Sequence, residues 1–243
     1  MSTVRKLKLR LLPWVFVLFV VAYIDRINIG FAALTMNKDL GISNAQFGFA
    51  AGVFFFGYFL FEIPSNLLLH RIGARVWIAR ILLSWGMVAM ATGLIHTLHQ
   101  LYLLRFLLGL AEAGYFPGIV LYLTYWFPER DRAQAVAALA AAVPVASIVG
   151  APISGFMLDH FHWWGVSSWR WLLMIEGLPA IICGLLTYWF LPSRPEEASF
   201  LSKTEREWLC AEINREEQQK LERYRYSVWE TMRCGRIWYL TLI

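Results

Sequence analysis

Charge is scarce in this sequence. Asp, Glu, Lys and Arg make up 16% of its 243 residues, against about 25% in an average globular domain. That shortage excludes a disordered chain, a basic tail for nucleic acid and an ordinary soluble enzyme. Cysteine is scarce too: Cys183, Cys210 and Cys234 form no disulfide framework and no C-x-x-C pair. Also missing are H-E-x-x-H, a Walker loop, a dinucleotide fingerprint and G-x-S-x-G, so nothing reads as catalysis or a cofactor site. The pairs His96/His99 and His160/His162 have no Cys or carboxylate cluster to complete a metal site. No small-residue cleavage site follows the basic stretch from Arg5 to Arg10. The apolar run behind it therefore reads as a retained span, not a signal peptide.

What the chain has in abundance is apolar: 58% of residues are hydrophobic. Its solvent is mostly lipid. Runs long enough to cross a bilayer are expected at about 11–36, 44–69, 76–95, 100–126, 133–157 and 170–191. They exceed strand length and lack the period-2 alternation of a barrel, so they are helices. The fold class is all-α, a polytopic membrane protein. Eighteen of the 22 Lys and Arg fall in the N-terminal tail, the second loop with the adjoining Arg80, the fourth loop and the segment after the sixth span. The positive-inside rule puts all four on the cytoplasmic side.

Residues 1–191 therefore read as a six-helix bundle and 192–235 as a cytoplasmic loop. Pro192 and Pro195 stop the sixth helix, and Ser202-Lys203-Thr204-Glu205 reads as a capping box that opens an amphipathic helix. Trp208, Leu209, Ile213 and Leu221 form its weak apolar face. Residues 236–243 read as the start of a seventh span, so the chain is expected to be the first part of a longer protein.

A charge at mid-bilayer costs about 2.5–3.5 kcal/mol on insertion scales. Asp25, Arg26, Glu62, Glu112 and Glu176 nevertheless lie inside spans, with Arg105 nearer one end. Adjacent helical residues point about 100° apart, so Asp25 and Arg26 cannot face one neighbour. Arg105 and Glu112 share a face two turns apart. Packing alone is achieved more cheaply with small residues, so these four point to an ion or substrate path. Glu62 and Glu176 stand beside Pro64 and Pro179, which favours a structural role for each. Gly48/Gly52 and Gly114/Gly118 form G-x-x-x-G pairs expected at close helix contacts, and Pro152 is expected to bend the fifth span. In the aromatic run from Phe54 to Phe61, Tyr58 is the candidate cavity residue, because its hydroxyl wants a partner.

Several motifs together are specific. They are Tyr23-Ile24-Asp25-Arg26-Ile27-Asn28, Ile63-Pro64-Ser65-Asn66, the stretch from Arg105 to Gly114, Trp169-Arg170-Trp171 and Ile175-Glu176-Gly177-Leu178-Pro179. With them the chain resembles the N-terminal half of a major facilitator superfamily transporter, most closely the anion:cation symporters. The superfamily signature G-x-x-x-D-R-x-G-R-R stands here as the run from Asn66 to Arg75. Asn66 replaces the glycine and His70 the acid, which favours the branch resembling tartrate, phthalate and hydroxyphenylacetate permeases. The resemblance implies 3+3 inverted repeats and a missing six-helix C-terminal half, in the inner membrane of a bacterial-type cell. It implies that Arg26 binds a substrate carboxylate and that Tyr58 and Arg105 line the cavity. It also implies that Asp25 and Glu112 couple protons.

The expected function is proton-coupled uptake of a small organic anion by alternating access. Two other classes stay open. One is a membrane sensor or interaction protein on a transporter-like bundle, or a non-functional truncated fragment. The other is a membrane-embedded enzyme, for which Cys183 is the sole span cysteine and has no nearby His in sequence.

Overall fold

The computed structural model describes residues 3–223. Their helices are α1 (Thr3–Asp39), α2 (Asn44–Ile72), α3 (Ala74–Thr92), α4 (Leu98–Glu112), α5 (Tyr115–Trp126), α6 (Glu129–Ala140), α7 (Ala142–His160), α8 (Ser168–Phe190) and α9 (Lys203–Arg223). Six spans result, because α4 with α5 and α6 with α7 each form one interrupted crossing. The expected start of a seventh span at Ile237 and the stretch 224–235 lie outside the described residues.

Local chemistry explains most boundaries. Ser43 and Thr97 open α2 and α4 with capping boxes completed by Gln46 and Gln100. Two interruptions differ from the sequence expectation. The fourth span breaks at Ala113–Gly114, where Gly114 takes φ 79°, a left-handed conformation natural only to glycine. The fifth breaks at Ala141, just before Pro144, whose missing N–H cannot bond back to Ala140. Pro152 instead lies within the single helix α7.

The packing partners follow a two-fold rule. The main pairs are α1 with α7 and α8, α4 with α2 and α3, and α3 with α8. Exchanging the first three spans for the last three maps α1–α7 onto α4–α2 and α1–α8 onto α4–α3. It maps α3–α8 onto itself. That is the contact pattern of two three-helix repeats, and spans one and four are equivalent in it.

Glycines set the closest approaches, though not all those expected. Gly48 and Gly52 face open space, whereas Gly57 and Gly109 bring α2 and α4 together. A Cβ on Gly109 would run into the carbonyl oxygen of Phe54 and stand 2.8 Å from the Tyr58 amide nitrogen. Backbone cannot yield as a side chain does, so Gly109→Ala should destabilise the bundle by about 1–3 kcal/mol despite its better helix propensity. Thermal melting in detergent tests this, with Gly52→Ala as the control expected to be neutral or stabilising. A Gly109→Ala melting temperature at or above that of the parent would refute the close-packing account.

Buried apolar residues form two separate clusters. One, towards the N-terminal end of α1, includes Leu7, Leu18, Trp85 and Trp126. The other, towards its C-terminal end, includes Ile29, Met36, Leu101 and Trp169. Between Ala22 and Ile29 on α1 lie Asp25 and Asn28. Arg105 separates Leu101 from Leu108 on α4, and Glu176 separates Leu173 from Ala180 on α8. The core is thus divided by a polar layer at mid-depth.

Ser202 and Glu205 cap α9 reciprocally. Leu209 is fully buried and Ile213 packs beside it, while Trp208 of the expected apolar face is 40% exposed. The ammonium of Lys6, 2.5 Å from Glu205, together with the Ser202 amide holds that carboxyl down to about 2.

Candidate functional site

Asp25 and Arg26 go to different neighbours, as their angular separation requires. Asp25, 4% exposed, accepts a hydrogen bond from the Trp85 indole on α3 (2.5 Å) and another from Asn28 Nδ2 (3.2 Å). Arg26 turns towards α2 and α4. Its Nη2 donates to Glu112 Oε1, and its guanidinium carbon lies 5.7 Å from the Phe54 ring centroid and 5.8 Å from that of Tyr58. In this ion pair the Glu112 side chain is 4% exposed and that of Arg26 is 40% exposed. One face of the cation is therefore open while the acid is enclosed.

Glu112 is the last residue of α4, because Gly114 ends that helix. A carboxylate there sits at the negative end of the helix dipole. The guanidinium of Arg26 compensates it. Two turns back on α4, Arg105 is buried, with its guanidinium carbon 4.7 Å from the Phe54 ring centroid. Its Nε is buried without a hydrogen-bond partner among the described residues. Phe54 thus presents its ring to both arginines. Behind Arg105 a cavity of about 10 Å³, lined in part by Asp25, Asn28 and Thr92, has the size of a single water.

Of the five residues singled out in the sequence, the structure gathers Arg26, Tyr58 and Arg105 around Phe54 and joins Glu112 to Arg26. It sets Asp25 on the α3 side of the same layer. Sequence reasoning missed Phe54, although it precedes Tyr58 by four residues and so shares its helix face. It also missed Trp85, for which no local signal exists. Glu176 does not serve its own proline-bearing helix: its Oε1 accepts from Ser154 Oγ of α7 at 2.8 Å, and its Oε2 is buried without a partner among the described residues. In the signature stretch, His70 Nδ1 and the Tyr125 hydroxyl are 3.1 Å apart, and Asn66 Nδ2 donates to the Glu62 carbonyl at 2.8 Å. Among the described residues, no three His, Cys, Asp or Glu are grouped as for a metal ion.

Six spans in two inverted triplets, with ionisable groups held at mid-depth and one span broken beside them, define a half-bundle of the secondary-transporter type. The Major Facilitator Superfamily model matches residues 15–243, and the chain belongs to that family. It is 50% identical over 216 residues to a protein of Agrobacterium vitis named "Putative tartrate transporter", covering 89% of this chain and 50% of that protein. It is 43% identical over 218 residues to a "Quinolone resistance transporter" of Acinetobacter baumannii, covering 90% of this chain and 50% of the relative. The chain spans about half the length of the curated relatives it matches. Among solved structures, a bacterial homolog of the human lysosomal transporter Spinster, inward-facing and unoccupied, superposes with a TM-score of 0.69 at 23% identity. That match covers 79% of this chain and 44% of the other.

Proposed function

We propose that the chain is the N-terminal bundle of a proton-coupled symporter for small organic carboxylates. The observation carrying this reading is the asymmetric Arg26–Glu112 pair, with its cation half open and its acid enclosed. A carboxylate entering the cleft competes for the guanidinium, which matches it with two parallel donors. Glu112, released from its cation at the end of α4, then takes up a proton. The loaded site has lost its excess charge, and this bundle rocks against a second six-helix bundle to open the other side of the membrane. Arg105, facing the same Phe54 ring, adds positive potential to the cleft, and Tyr58 offers a hydroxyl to the anion. Asp25, held by Trp85 and Asn28, is the second acid of the proton pathway. The N-terminus lies in the cytoplasm of a bacterial-type cell and the bundle in its inner membrane.

The relative named for tartrate supports a carboxylate substrate. The relative named for quinolone resistance supports a second reading, in which the same site expels an aromatic compound. Proteoliposomes holding this bundle together with its second half separate the two. With an inward proton gradient, labelled tartrate, sugar acids or aromatic acids should accumulate, and a protonophore should abolish the accumulation. If no acid in the panel accumulates, or if the protonophore has no effect, the symport reading fails. Proton-driven movement of an aromatic drug in the opposite direction would establish export instead.

A further inference from the structure

A second charged concavity lies at the end of the bundle where α1 begins. It is a cavity of about 620 Å³ between the first turns of α1, the start of α3 and the end of α8. Two arginines reach it from different helices: Arg10 of α1 and Arg75 of α3. Arg10 is exposed and has no ion-pair partner among the described residues. Arg75 has its Nε buried without a hydrogen-bond partner. The carboxylate nearest to Arg75, Glu197, stands 3.9 Å from its Nη1 and already accepts the Ser193 amide at 3.1 Å. The groove lining thus holds two guanidiniums and one carboxylate.

Apart from Ser199, the rest of the lining is aromatic and aliphatic. Trp14 is fixed by its indole N–H to Thr187 Oγ1 at 3.3 Å. Trp189 and Phe190, the last residues of α8, are 74% and 76% exposed. Tryptophan at the end of a span marks the level of lipid headgroups. Here it lines the same cavity as two arginines, on the side of the bundle that carries most of the basic residues. Asp25 of α1 faces α3 and Arg26 faces α2 and α4, so the groove between α1, α3 and α8 lies away from the cleft.

We infer that this groove binds an anionic phospholipid of the basic-side leaflet. Its phosphodiester lies between Arg10 and Arg75, and its acyl chains run along Trp189, Phe190 and Leu186. A guanidinium meets a phosphate with paired donors, and basic pockets between spans suit anionic headgroups. A zwitterionic choline headgroup would bring its own cation towards the two arginines, so phosphatidylcholine is disfavoured.

The test is native mass spectrometry of the 243-residue chain in detergent, titrated with phosphatidylglycerol, with phosphatidylcholine and with inorganic phosphate. Phosphatidylglycerol should be retained, phosphatidylcholine should not, and millimolar phosphate should fail to displace the bound lipid. Arg10→Gln and Arg75→Gln should each weaken retention about fivefold, and Trp189→Ala, at an exposed position, should weaken it without altering the fold. Arg71→Gln removes the same charge from an exposed site outside the groove and should leave retention unchanged. An equal loss in Arg71→Gln would mean general surface charge and overturn the site. Equal retention of phosphatidylcholine would overturn the headgroup assignment. Displacement by phosphate would make the groove a free-anion site and overturn the lipid.

Discussion

Glu112→Gln is expected to abolish accumulation driven by a pH gradient while leaving exchange of labelled for unlabelled substrate across the same membrane. Glutamine keeps an oxygen to accept from Arg26 Nη2, so the α1–α4 contact survives. It cannot carry a proton through the cycle. Glu112 is enclosed at the end of α4, away from solvent. Coupling free energies between sites are about 1–3 kcal/mol, so the ratio of accumulation to exchange should fall at least about fivefold. Equal loss of both activities would reduce Glu112 to a packing residue, and loss of neither would remove it from coupling.

Arg26→Lys should raise KM for the transported acid about tenfold while lowering kcat less. The substitution keeps a positive charge opposite Glu112 but replaces a planar fork with a point donor. One hydrogen bond to the substrate carboxylate is lost. Bonds to charged groups contribute about 1.5–3 kcal/mol, and the half-open position of Arg26 places the loss at the lower end. Arg105→Lys serves as the comparison. Arg105 is buried and stacks on Phe54 without touching Glu112, so its replacement should alter KM less. A larger KM effect at Arg105 than at Arg26 would transfer the anion-binding role from one arginine to the other.

The two predictions depend on different parts of the geometry, although they concern one ion pair. Glu112 is judged by what it releases and Arg26 by what it holds. The broken fourth span links them. Gly114 ends α4 beside the acid, and that glycine is required because a side chain there would strike Ser65 of α2 as well as strain a left-handed backbone. A continuous helix would have shared the Glu112 charge with the middle of a span. Ending the helix places the charge at a negative pole, where its dependence on Arg26 is greatest.

Much of this architecture is legible in the residues alone. Six apolar runs, the basic bias of their flanks and the capping box at Ser202 follow from local chemistry, because lipid demands self-satisfied helices of a set length. The unusual charges are equally legible, since each carries a cost that a span does not bear without reason. The partners of those charges were decided by tertiary structure. A rotation of 100° between neighbours tells that Asp25 and Arg26 diverge, but only the tertiary arrangement, with α1 packed on α7 and α8, sends the first to Trp85 of α3 and the second to Glu112 of α4. The same holds for glycine: Gly48 and Gly57 look alike in sequence, yet one faces open space and the other the backbone of α4. Sequence determines what a helix costs and where it ends. The rotation and depth at which it meets its neighbours belong to the whole bundle, because they minimise the packing and charge energies of all six spans at once.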